Sequence, residues 1–169
     1  MTEIDSYLST QEEYDSWDNN VNTNIKYKNK TLNEWQTYLT LPEVTDYANL
    51  EEVETLNYKA MSLTELIYSN LSLSKNTYIS AKKAFELQMN LQKNKILEEI
   101  NSIPNRKAPS QDNLERLAFT ECLKEWKILA RSEIIYDFWN THSFKMTHIH
   151  SRLTSLNILK NINKKLEGY

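Results

Sequence analysis

The sequence predicts an all-α protein: an elongated, coiled-coil-like antiparallel helical hairpin preceded by short N-terminal helices. Two observations set the class. Of 169 residues one is glycine, Gly168, and three are proline, Pro42, Pro104 and Pro109. Glycine and proline break helices and shape tight turns, so the stretches 43–103 and 110–167 run without punctuation. In both, apolar residues recur at intervals of three and four, the spacing of one helical face. A third observation sets the architecture. The two stretches are similar in length and share a short polar connection, as an antiparallel helix pair requires.

The elements follow in order. Thr10-Gln11-Glu12-Glu13 reads as a capping box, with Tyr14 and Trp17 sharing the face that follows. Residues 18–30, rich in Asn and Lys, read as a linker. Thr31-Leu32-Asn33-Glu34 is a second box and opens a short helix carrying Leu32, Trp35, Tyr38 and Leu39. Pro42 limits that helix, because the residue before a proline avoids the helical region. Asn49-Leu50-Glu51-Glu52 opens the first long helix, with Glu51, Glu52 and Glu54 near its positive end. Its stripe is Leu50, Val53, Leu56, Ala60, Leu63, Ile67, Leu71, Tyr78, Ala81, Phe85, Met89, Ile96, Ile100 and Ile103.

A helix of 50 residues is about 75 Å long, too long for a compact globule of this size. It therefore either breaks near Ser69–Thr77 or forms one arm of the hairpin. Pro104 to Pro109 is the turn, and Asp112-Asn113-Leu114-Glu115 restarts the helix. The second long segment spans 113–166 with the stripe Ile135, Phe138, His142, Met146, Ile149, Leu153, Leu156 and Leu159. Its other face, with Trp126, Ile134, Tyr136 and Trp139, needs a further partner: the short N-terminal helices or a second protomer. Residues 1–48 thus form an acidic N-terminal segment and 49–169 the hairpin, turning at 104–110, expected to assemble as an oligomeric bundle or ring.

The net charge is −3, yet the charge is unevenly placed. Residues 1–70 hold 13 acids and 4 bases, and residues 71–169 hold 10 acids and 16 bases. Such asymmetry suits a polyanion or acidic partner for the second half, or pairing of the two halves. Apolar runs no longer than about four residues exclude a membrane helix of roughly 20. The acidic start Met1-Thr2-Glu3-Ile4-Asp5 does not read as a secretory signal. Cys122 is the single cysteine, which excludes an intrachain disulfide and a four-thiolate zinc site. Together these point to the cytoplasm. The excess of Asn, Lys, Ile and Tyr is the bias of an AT-rich genome, such as that of a phage or a low-GC bacterium.

Catalytic chemistry finds little purchase. His148 and His150 point to opposite sides of a helix, and His142 is six residues from His148, so none of the three chelates with another. Cys122 has Glu121 and Glu125 beside it, whereas a reactive thiolate needs positive surroundings. Glu51/Glu52 and Glu98/Glu99 diverge as adjacent helical residues. One glycine leaves no phosphate-binding loop. The expectation is a non-enzymatic protein without metal, cofactor or small-molecule partner.

The remaining signal is basic. Lys145, His148 and Arg152 fall on one line of the last helix, and Lys160, Lys164 and Lys165 continue toward its end. Arg106 and Lys107 join them from the turn, with Lys82, Lys83, Lys93 and Lys95 before it. Such a stripe can neutralise phosphates without reading sequence. The competing explanation is a solvated helix face whose cations complement the helix dipole.

Two long helices with a polar turn, the second carrying His150-Ser151-Arg152-Leu153-Thr154-Ser155-Leu156, resemble the phage recombination mediators that load a strand-exchange protein onto single-stranded DNA. The resemblance implies a small helical oligomer, built as a ring, without a catalytic centre. It would contact single-stranded DNA, a recombinase and a single-strand-binding protein. Lys145, Arg152, Lys160, Lys164 and Lys165 are the phosphate contacts carried over. Residues 1–48 lie outside the resemblance. The alternative is a protein-only role, as a helical virion, connector, adaptor or inhibitor component.

Overall fold

The computed structural model describes residues 21–42, 48–104 and 107–167. The Thr10 box, the Tyr14–Trp17 pair and Arg106 lie outside the described residues. The elements in chain order are β1 (Lys26–Tyr27), β2 (Lys30–Thr31), α1 (Leu32–Leu39), α2 (Leu50–Asn101), α3 (Gln111–Glu121) and α4 (Leu123–Glu167). The fold is all-α, and α2 and α4 pack against each other as the expected hairpin. By its internal contacts the chain divides into two units, Met1–Ile67 with Thr141–Tyr169, and Tyr68–Asn140.

In the first unit, part of the expected linker is a small antiparallel hairpin, with Lys26 opposite Thr31 and Tyr27 opposite Lys30. Lys28 and Asn29 take positive φ values of 47° and 67°, the backbone that a two-residue hairpin turn requires. Trp35 Nε1 donates to the Tyr27 carbonyl at 2.8 Å and ties α1 to the hairpin. Leu32, Trp35 and Leu39 are buried, as the spacing predicts, while Tyr38 is exposed.

The predicted cap of α1 is formed. Thr31 Oγ1 accepts from the Glu34 amide at 3.2 Å, and the Glu34 carboxylate accepts from the Thr31 amide at 2.6 Å. The Thr31 amide, then the Thr31 hydroxyl, hold the Glu34 carboxyl below its ordinary range, with Lys26 and Lys30 adding to the effect. A lowered carboxyl pKa contributes stability above the unfolded value, about 4.3, that is lost as pH falls through the folded one. Acidification below about pH 4 should therefore fray α1 first at its N-terminus. Loss of protection at the Thr31 amide, followed by NMR titration, checks this; protection unchanged down to the unfolding of the whole chain refutes it.

The start of α2 is capped reciprocally by Asn49 and Glu52, at 2.9 and 3.0 Å. Val53, Ala60, Leu63 and Ile67 are buried in this unit, as are Met146 and Leu153 of α4. Full burial of a large aliphatic chain contributes about 1.5–3 kcal/mol. Thr154 Oγ1 donates to Asn57 Oδ1 at 3.2 Å, a polar link between the two helices.

In the second unit α2 continues through Ser69–Thr77 without a break. The reason is local: Ser74 Oγ and Thr77 Oγ1 each donate to a carbonyl of their own helix, Leu71 and Leu73, at 3.0 Å. These hydroxyls are satisfied without opening the backbone. Tyr78 stacks on Tyr136, ring centroids 5.6 Å apart, and its hydroxyl donates to Glu133 at 3.1 Å. Phe119 contacts Phe85 and Trp126 edge-on. Lys93 pairs with Glu115 at 2.8 Å.

Three details differ from the sequence reading. The cap of α3 is Ser110 rather than Asp112, with Ser110 Oγ accepting from the Asn113 amide at 3.4 Å. The second long segment is divided at Cys122, whose φ of −104° and ψ of 14° end α3. No glycine or proline marks this joint; the Cys122 side chain is buried, and its N–H donates to the Phe119 carbonyl. The inward face of α4 follows the predicted stripe only in part. Met146 and Leu153 of the stripe are buried, but so are Ser132, Trp139 and Ser143 outside it, and Leu159 is exposed. Trp139, placed by the sequence on a second apolar face that needs a partner, is the largest fully buried side chain.

Candidate nucleic-acid interface

Lys145, His148 and Arg152 lie on α4 in the first unit, and all three are exposed. At 3.6 residues per turn their directions fall within about 60° of one another. The buried line through Met146 and Leu153 leaves this face toward solvent. Lys160, half-buried, lies about 60° to one side of Lys145. Lys164 is turned about 100° and Lys165 about 160° from Lys145, although both are exposed. The helix thus gathers Lys145, His148 and Arg152 into one line and fans the last three cations around its end. Lys107 is exposed but belongs to the second unit.

From Phe138 to Leu166 the sequence contains no Asp or Glu, so no carboxylate on this length of α4 offsets its cations. The same surface is partly apolar. Phe144 is 71% exposed, and Ile158, Leu159, Ile162 and Leu166 are also exposed. The accompanying length of α2 carries exposed Glu51, Glu52 and Glu65, so the first unit presents both signs of charge.

Sequence reasoning missed a second cluster of cation and aromatic groups. Lys30 Nζ sits 4.9 Å from the Trp35 ring centroid and 4.5 Å from that of Tyr38, and Lys28 Nζ sits 5.5 Å from that of Tyr27. The signal was Lys26-Tyr27-Lys28-Asn29-Lys30 itself. Asn is among the few non-glycine residues that readily adopt positive φ, so it can turn a hairpin.

Burial first, then Glu125 and Glu121, push the Cys122 thiol above its ordinary range. This is the setting of an unreactive thiol. Among the described residues, no three His, Cys, Asp or Glu side chains converge as metal ligands, and no helix is long and apolar enough to cross a membrane. A shallow pocket in the second unit is lined by Lys95, Ile96, Glu99, Ile100, Leu117 and Glu121, among others. Comparison of the chain with protein-family models, curated proteins and solved structures gave no match.

Proposed function

We propose that this is a non-enzymatic accessory protein that binds single-stranded DNA through the basic face of α4. One observation carries the reading: five Lys and Arg side chains, with no acid, over the 29 residues from Phe138 to Leu166. Exposed Lys145 and Arg152 can reach phosphates, and the adjoining apolar groups can meet bases, a sequence-tolerant mode of single-strand binding. The resemblance to phage recombination mediators gives the role its sharper form. In that form the protein assembles as a homo-oligomer and assists recombinase loading in the host cytoplasm, with a recombinase or single-strand-binding protein as partner.

A salt titration tests the reading. Each phosphate contact to a single strand contributes about −0.7 to the slope of log K against log salt. Contacts from all five cations give a slope near −3.5, or about 100-fold weaker binding on raising salt from about 50 to 200 mM. Fluorescence anisotropy with a labelled single-stranded 30-mer measures it. No binding at about 50 mM, where phosphate contacts are strongest, ends the single-strand reading.

A second reading is protein-only interaction. The exposed Ile158, Leu159, Ile162 and Leu166 favour it, because an apolar stripe on one helix face suits a partner helix. Concentration-dependent sedimentation together with absent DNA binding would select that reading.

A further inference from the structure

We propose that the Lys26–Thr31 hairpin and α1 form a second contact for single-stranded nucleic acid, separate from the basic face of α4. The inference rests on the single-strand reading and adds a site to it. Residues 1–70 contain four Lys or Arg, and three of them are Lys26, Lys28 and Lys30. The fold sorts these three. Lys26 lies opposite Thr31, and its charge acts on Glu34, the capping carboxylate. Lys28 occupies the turn at positive φ and is exposed at the tip. Lys30 lies opposite Tyr27 on the other strand and rests against Trp35 and Tyr38.

Lys28 and Lys30 are therefore held among aromatic rings. Tyr38 is 51% exposed, and an edge contact with the buried Trp35, at 5.9 Å and 86°, fixes its orientation. The Trp35–Tyr27 hydrogen bond fastens the strand beneath. Lys30 beside the half-exposed, positioned Tyr38, with Lys28 beside Tyr27 at the turn, supplies the parts of a single-strand contact: cations for the backbone and a ring for a base. Base–aromatic stacking tolerates any sequence because every base presents a π-face. The arrangement is built before any ligand arrives, which limits the ordering required on binding.

The test uses the full chain and labelled oligothymidylate of 30 residues. Lys28→Asn keeps a residue that tolerates positive φ, and Lys30→Gln keeps an amphipathic stem, so the hairpin is retained; far-UV circular dichroism checks this. Losing both phosphate contacts should reduce the salt slope by about 1.4 and weaken binding about 25-fold at 0.1 M salt. Tyr38→Ala should weaken binding about tenfold and leave the slope unchanged. Photo-crosslinking with 5-iododeoxyuridine should label the peptide containing Tyr27 or Tyr38. Unchanged affinity and slope in K28N/K30Q, with binding lost in K145E/R152E, overturns this inference and leaves the α4 reading intact. Binding lost in the hairpin variants but kept in K145E/R152E does the reverse. A wild-type chain that does not bind at about 50 mM salt removes both.

Discussion

Trp139→Ala is expected to destabilise the protein by about 3–5 kcal/mol, the usual cost of truncating a buried aromatic. Trp139 has no solvent exposure and is the largest of the fully buried side chains. Its ring meets Phe138 edge-on at 5.3 Å, so truncation removes that contact as well as the buried area. Native stabilities are about 5–15 kcal/mol, so the loss is a large share of the total. Urea denaturation followed by circular dichroism should show the midpoint falling by about 2 M, for a slope near 2 kcal/mol per molar. Trp139→Phe should lose less, because it leaves a smaller cavity. Trp126→Ala is the matched comparison, since Trp126 is 42% exposed. Equal midpoints for the Trp126 and Trp139 truncations would refute the inward assignment of Trp139.

That assignment shows what the sequence carries and where it stops. Local chemistry was legible. Thr31/Glu34 and Asn49/Glu52 specify caps through side chains three residues apart, and both caps form. The scarcity of glycine and proline correctly announced two long helices and a connection near Pro104. The inward stripe was harder, because a search for apolar periodicity passes over polar residues. Asn70, Ser74, Ser132 and Ser143 are all buried. Ser132 Oγ donates to the Leu129 carbonyl at 2.7 Å, as Ser74 does to that of Leu71. A serine satisfied by its own helix is small and inexpensive to bury. Such positions behave as core in space while reading as surface in sequence. Ile135 and Phe138 of the predicted stripe are only half-buried, while Trp139, read as part of a second face, is fully buried.

The candidate sites divide along the same line. The cations of α4 were legible because helical spacing alone places Lys145, His148 and Arg152 together. The hairpin cluster was not, because it depends on two residues at positive φ and on a helix packed against the strand. Asn-Gly would have announced that turn; Lys28-Asn29 does so only weakly. Cys122 belongs to the same class, since the joint between α3 and α4 carries no glycine, proline or other local signature.

Lys145→Glu with Arg152→Glu should reduce single-strand binding by at least about 50-fold at 50 mM salt, where two lost phosphate contacts lower the slope by about 1.4. Reversal adds repulsion to the lost attraction, so the effect should exceed that of neutral substitutions. Both side chains are exposed and outside the buried line of α4, so the fold should be retained. The charge-preserving pair K145R/R152K should bind nearly as the parent does. Lys59→Glu with Lys75→Glu changes net charge equally from exposed positions on α2. At about 0.1 M salt the screening length is near 10 Å, so charges that make no phosphate contact should have the smaller effect. A loss confined to the α4 pair therefore identifies local phosphate contacts. Equal losses from both pairs would mean that overall charge alone governs association, and the basic face of α4 would lose its role.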